Sequence, residues 1–196
     1  KKKIFQIINF LEKIKREGKI RYYGISTRTP QDAKYVALNY SRHFKLLQTN
    51  FNLIDQRVLE IGLLDICKKK NIKIIARTPL VYGFLTGKFN EKSKFSKNDH
   101  RNKWSKKQLK IWSSAKEVFN EMAKKRKMTM AQLCLNFCIS YKEIVTTIPG
   151  MLSTQQIDEN VKSVKFKFNS ANQKKDILEK YKTKNWTDLT LKKKLN

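Results

Sequence analysis

The sequence predicts an α/β fold: four parallel βα units with helices outside, amounting to half of a (βα)8 barrel. Three observations predict it. Apolar runs that read as strands recur roughly 25 residues apart through the first half of the chain, with a helical pattern between each pair. Parallel strands need crossover connections of that length. The runs are largely apolar rather than cleanly alternating, as expected of strands covered on both faces. A closed barrel takes eight such strands, so four leave two open edges.

Ile4, Ile7, Ile8, Leu11 and Ile14 recur at helical spacing, and Gly18 follows where a left-handed cap would end the helix. Residues 22–26 read as a short strand. Arg28, Thr29 and Pro30 supply a turn, with Pro30 near the first helical position of a helix over 31–40. The pattern then repeats as a strand over 46–51, a helix over 58–70 with Leu59, Leu63, Leu64 and Cys67 inward, and a strand over 72–76. Residues 80–102 form a long irregular stretch, which in a compact domain is more often functional than accidental. An amphipathic helix follows through Trp112, Ala115, Val118, Phe119 and Met122. Thr129 caps a second helix reaching Ile139, and residues 144–148 form the fourth strand, ended by Pro149 and Gly150. Ser153 or Thr154 caps a helix through Glu159 and Val161, and a last helix covers 171–181.

With 196 residues, 40% of them hydrophobic, the chain can bury a core as one domain over 1–196. No apolar run has transmembrane length, and Asn9, Glu12 and Lys13 interrupt any secretory core. Membrane association is not expected, and the absence of an initiator Met suggests a longer reading frame. Cys67, Cys134 and Cys138 form no Cys-x-x-Cys pair, and an odd count argues for a reducing cytoplasm. Cys134 and Cys138 fall on an apolar helical face and read as buried thiols. His43 and His100 stand at no ligand spacing from a cysteine, so no metal is expected. The net charge of +28 raises the question of nucleic acid. The lysines are scattered over nearly every element rather than gathered into a stripe with stacking aromatics, so solvated faces are the better reading. The tail Lys192, Lys193 and Lys194 reads as a frayed terminus.

In barrels of parallel strands, ligands meet the strands' C-terminal ends. Those ends carry Ser26 and Thr27, Gln48 and Asn50, Arg77 with Thr78, Pro79 and Leu80, and the turn after Ile148. Here a resemblance becomes specific. Residues 11–26, with Gly18, Lys19, Ile20, Arg21, Tyr22, Tyr23, Gly24, Ile25 and Ser26, resemble the segment that leads into and forms the fifth strand of the aldo-keto reductases. Leu47, Gln48 and Asn52 resemble the sixth strand. Residues 77–80 followed by 83–88 resemble the seventh-strand loop, and residues 148–150 with Asp158, Glu159 and Asn160 resemble the eighth-strand turn and its helix. The match runs in register from about Phe10 to Val161.

The resemblance implies strands five to eight of that barrel, NADP as cofactor and a small carbonyl compound as substrate of the complete protein. It gives Ser26 and Gln48 to the nicotinamide carboxamide, against the plainer reading that they satisfy strand-end backbone groups. Thr27 replaces the family's usual Asn and stays outside the site. Arg77 stands where a Tyr or Trp commonly stacks on the nicotinamide. A planar guanidinium also stacks, and a solvent-facing Arg is the alternative. Thr78, Pro79 and Leu80 would line the pyrophosphate path and Lys88 would meet a phosphate, or be one more surface lysine. Gly150 and the following helix start would approach the adenosine-side phosphate, with Glu159 and Asn160 toward adenine. Gln156 stands where some relatives have Arg, and Leu152 offers no cation or hydroxyl to a 2′-phosphate, which leaves NAD open.

The Asp, Tyr, Lys and His that the family uses for reduction belong to its first half, and no matching segment is present. The chain alone is therefore expected to be inactive. It is expected either to belong with a missing N-terminal half or to self-associate. The competing readings are a truncated nucleotide-binding or pairing module and a basic nucleic-acid-binding protein.

Overall fold

The computed structural model describes residues 2–166 and 171–187, so the tail Lys192 to Lys194 lies outside the described residues. Helix α1 (Lys2–Arg16) buries Ile8 and ends before Gly18, whose φ of +72° takes the left-handed cap conformation. Tyr23 then ties the approach to the first strand back to Glu12 of α1. Burial and that carboxylate together push the Tyr23 phenol up to about 12. Strand β1 is only Ile25–Ser26, shorter than the run over 22–26 suggests. Gly24 lies against β2 so closely that an added Cβ would sit 2.4 Å from the Leu46 carbonyl oxygen.

Helix α2 (Pro30–Asn39) starts with a reciprocal cap: the Thr29 hydroxyl accepts from Asp32 N, and the Asp32 carboxylate accepts from Thr29 N. Strand β2 (Leu46–Asn50) follows. The single helix expected over 58–70 is two pieces, α3 (Arg57–Glu60) and α4 (Leu63–Lys70), broken at Gly62 with φ +67°. Strand β3 (Lys73–Arg77) leads into the irregular stretch, which contains 3₁₀ turns at Val81–Thr86 and His100–Lys103. The next expected helix is also two, α5 (Lys106–Ser113) and α6 (Ala115–Lys125), meeting at Ser114. Helix α7 (Met130–Ile139) carries the Thr129–Gln132 capping box, and every residue from Met130 to Cys138 is buried. Strand β4 (Ile144–Ile148), α8 (Thr154–Lys162), capped by Ser153, and α9 (Ala171–Lys182) complete the described chain.

The four strands form one parallel sheet in the order β1-β2-β3-β4. Its two faces differ. Leu47, Thr49, Ile74, Ala76 and Ile144 are buried beneath the helices, while Gln48, Asn50, Ile75 and Arg77 are only partly covered and Ile148 is 45% exposed. The expectation of strands covered on both faces is therefore corrected: period-2 burial shows one packed face and one open face.

The exposed large apolar side chains are distributed as unevenly. Among the described residues they all fall in 5–38 or 145–164, on the elements at the two ends of the sheet, and Leu152 at 93% is the extreme. No helix among the described residues is long and apolar enough to cross a membrane.

Gly24→Ala forces the β1–β2 approach apart and is expected to destabilise the fold by about 2 kcal/mol. Gly150→Ala, where nothing of the chain lies within 4 Å of the added carbon, should leave stability nearly unchanged. Urea titrations of both variants check the contrast.

Candidate active site at the strand ends

Three neighbouring strands deliver Ser26, Gln48 and Arg77 to one place. Pairing of Ser26 with Gln48 across β1 and β2 sets their hydroxyl and amide side by side, with Ser26 Oγ 3.5 Å from Gln48 Oε1. Arg77 pairs with Asn50 on β2 and Ile148 on β4. Its side chain crosses β2, and Nη2 donates to the carbonyls of Thr27 (3.1 Å) and Arg28 (3.3 Å). The guanidinium is thus held beside the residue that follows Ser26. Its Nε is buried without an acceptor, an unspent donor of the kind that marks functional positions. The Thr27 hydroxyl and N–H both donate to the Gln48 carbonyl, so this side chain is spent on the sheet.

The loop after β3 departs from ordinary backbone geometry. Thr78, Val81 and Tyr82 have φ of +54°, +45° and +56°, a left-handed conformation costly for any side chain, most of all for Thr78 and Val81, which are branched at Cβ. The surroundings hold it in place. Thr78 Oγ1 lies 3.1 Å from Asn50 Oδ1, and Asn52 Nδ2 donates to the Thr78 carbonyl at 3.0 Å while its Oδ1 accepts from Ile54 N. Pro79 is buried, Leu80 half-buried, and Val81, Phe84 and Leu85 anchor the turn in the core. Lys88 is exposed beyond that turn, its Nζ 5.6 Å from the centre of the Phe89 ring.

At the end of β4, Gly150 has open space where a Cβ would be. The Ser153 hydroxyl accepts from Gln156 N, and Gln156 Oε1 accepts from Leu152 N at 2.7 Å, so Gln156 folds back onto the helix start. Glu159 is half-buried. Asn160 is buried with its Nδ2 unpartnered. The structure thus sets Ser26 against Gln48 and anchors Arg77 to the carbonyls just after Ser26, continues them through 78–80, and leaves Lys88 and the 150–160 group as separate stations.

A sequence model of the Aldo/keto reductase family matches residues 1–180. The chain belongs to the aldo-keto reductase family. It is 32% identical over 158 residues to L-glyceraldehyde 3-phosphate reductase of Escherichia coli, covering 76% of this chain and 46% of that protein. It is 28% identical over 172 residues to aldo-keto reductase yakc [NADP(+)] of Schizosaccharomyces pombe, covering 86% and 50%. The chain spans about half the length of the relatives it matches. The fold resembles glycerol dehydrogenase of Gluconobacter oxydans with a TM-score of 0.72 at 23% identity, covering 91% of this chain and 54% of that one. It also resembles an aldo/keto reductase of Klebsiella pneumoniae solved with NADP and acetate, with a TM-score of 0.61 at 22% identity, covering 89% and 53%.

Beside the strand ends this reductase-family chain opens a cleft of about 1070 Å³, lined by Asn50, Arg77 and Thr78 on one side and by Tyr82, Trp104 and Trp112 on another. The sequence reading named Asn50 at a strand end and Asn52 in the sixth-strand resemblance without giving either a role, and did not bring Tyr82 to this wall. The available signal was the density of aromatics between 82 and 112. Asp55 in the cleft is bound by Arg57 through two hydrogen bonds, and Glu60 accepts from the Tyr181 hydroxyl. Cys67, Cys134 and Cys138 are free and buried, and burial pushes the Cys67 and Cys138 thiols up to about 12. No group of three His, Cys, Asp or Glu side chains able to hold a metal occurs among the described residues.

Asn52→Ala leaves Ile54 N and the Thr78 carbonyl without their side-chain partner. A loss of about 2 kcal/mol in urea unfolding is the expected result, and an unchanged midpoint would show that the loop holds its shape without the clamp.

Proposed function

We propose that this chain is the second half, strands five to eight, of an NADP-dependent carbonyl reductase barrel in the cytoplasm. On this reading residues 1–196 form one unit that holds the cofactor, and proton donation comes from the first half. The observation that carries the reading is the convergence of Ser26, Gln48 and Arg77 on the open face of a four-stranded parallel sheet.

The open face and the exposed apolar side chains at both ends of the sheet fit a fold completed by further strands. The helix order favours one kind of complement. Helix α1 precedes β1 and α8 follows β4, so each end of the sheet already carries a helix. A second copy would bring α8 of one chain and α1 of the other into the same slot at both seams. A complement that begins and ends on a strand, four strands with three helices between them, closes eight strands with one helix per slot.

The residues fit a dinucleotide. When bound, NADPH supplies the hydride to a carbonyl carbon. Ser26 and Gln48 offer a hydroxyl and an amide to the carboxamide, fixing which ring face is presented. The backbone of Thr78, Pro79 and Leu80 lines the pyrophosphate path, and Lys88 adds a point charge at its end. Gly150 leaves room for close approach at the helix start, where Gln156 would exchange its bond to Leu152 N for one to phosphate. Glu159 and the unspent Nδ2 of Asn160 are the groups on the adenine side.

Calorimetric titration of the chain with NADPH is expected to show binding, and assays with aldehydes no turnover. Co-expression with a polypeptide supplying the first four strands should restore aldehyde-dependent NADPH oxidation. Turnover by this chain alone, or absence of NADPH binding in both forms, would sink the proposal.

A further inference from the structure

We propose that Arg77 makes this site prefer the reduced over the oxidised dinucleotide, by holding an uncompensated positive charge beside the nicotinamide ring. The inference rests on the cofactor reading above. Its basis is geometric. The two bonds from Arg77 Nη2 to the carbonyls of Thr27 and Arg28 restrain the guanidinium next to Ser26, whose hydroxyl stands beside Gln48. The group that orients the carboxamide and the cation are therefore neighbours across three strands.

Among the described residues no acid pairs with this charge. Arg77 has no carboxylate within ion-pair distance among the described residues. The two acids of the cleft are engaged elsewhere, Asp55 with Arg57 and Glu60 with Tyr181. The hydrogen-bond partners of Arg77 are carbonyl oxygens, which orient the guanidinium and leave its net charge in place.

The nicotinamide ring is a cation when oxidised and neutral when reduced, while the rest of the dinucleotide is the same in both states. Repulsion from Arg77 thus acts on one redox form alone. For charges about 5 Å apart in a half-exposed setting, screened repulsion corresponds to about a tenfold difference in affinity. By linkage, a tenfold preference raises the potential of the bound two-electron couple by about 30 mV. An aromatic ring at this position would stack on both forms without that discrimination. The oxidised cofactor would leave more readily after each turnover of the completed barrel.

The test titrates the full chain calorimetrically with NADPH, NADP⁺ and adenosine 2′,5′-bisphosphate, which lacks the nicotinamide. NADPH is expected to bind about tenfold more tightly than NADP⁺, with the ratio narrowing as NaCl rises from about 0.05 to about 0.5 M. Arg77→Gln should bring the ratio below about twofold and Arg77→Lys should keep most of it, while the bisphosphate binds all three proteins alike. Equal affinities in the parent chain, a ratio indifferent to salt, or a ratio unchanged in Arg77→Gln would overturn the inference. If Arg77 only braces β1 against β3, Arg77→Gln lowers the melting temperature and leaves the ratio alone. Were Arg77→Gln to unfold, the parent ratio, its salt dependence and Arg77→Lys still decide. Binding of the bisphosphate and both dinucleotides without preference sinks this inference alone. Failure of all three ligands to bind sinks the cofactor reading with it.

Discussion

The clamp between the ends of β2 and β3 is the constraint on which the site depends. Parallel register sets Asn50 opposite Arg77, and the Asn50 and Asn52 amides then take hold of Thr78 from the β2 side. Arg77 reaches back over β2 to the carbonyls after β1. Three strand ends are thus cross-linked by side chains as well as by the ladder, and the cross-links lie at the edge of the open face. Remove them and Ser26 and Gln48 would still meet across β1 and β2, but the Arg77 guanidinium and the Thr78 backbone would lose their fixed places beside them.

The same clamp explains how the chain tolerates left-handed backbone at Thr78, Val81 and Tyr82. Each costs free energy that a glycine would not. Burial of Val81, Phe84 and Leu85 anchors the loop from below, and the Thr78 carbonyl and hydroxyl anchor it from β2. Held this way, the 78–80 backbone is turned toward the strand ends and Tyr82 toward the Trp104 and Trp112 side of the cleft. The conformation is over-determined by its surroundings, which is the condition under which local strain persists at working sites.

Much of this was legible in the sequence, because its signals are local. The cap at Thr129, the turn carrying Pro30 and the stop at Gly18 are short-range chemistry, and they mark element boundaries the structure adopts, where Thr29 adds a cap of its own. Two helices were overextended for identifiable reasons. Apolar spacing runs unbroken through Leu59, Leu63, Leu64 and Cys67, which hid the break at Gly62, although the glycine itself was the clue. Ser114 keeps right-handed helical angles, so no residue type announces the second break. Strand ends naming Ser26, Gln48 and Arg77 could be read from periodicity and resemblance. The bonds of Arg77 to carbonyls about fifty residues away, and the folding of Gln156 onto Leu152 N, are long-range or conformational facts that no spacing encodes.

The uneven surface follows from the same architecture. A sheet with helices on one side buries half of every strand, and its other half needs cover. Here the open side carries the candidate site, whose polar residues leave it unlike an ordinary apolar face. Gln48, Asn50 and Arg77 occupy positions that Leu or Val would hold in an inert core, and covering them is costly unless each polar group finds a partner. On the proposed reading, a complementary set of strands covers this face, and a dinucleotide at the strand ends gives the polar groups there their partners. That reading fits the exposed apolar side chains at the two ends of the sheet, where Phe5, Phe10 and Tyr22 lie on one side and Val145, Leu152 and Val161 on the other, with the polar groups between them. If the barrel closes as proposed, closure and cofactor binding are coupled: a dinucleotide that binds only the closed form stabilises it by its own binding free energy, and loss of either half weakens the hold on the ligand.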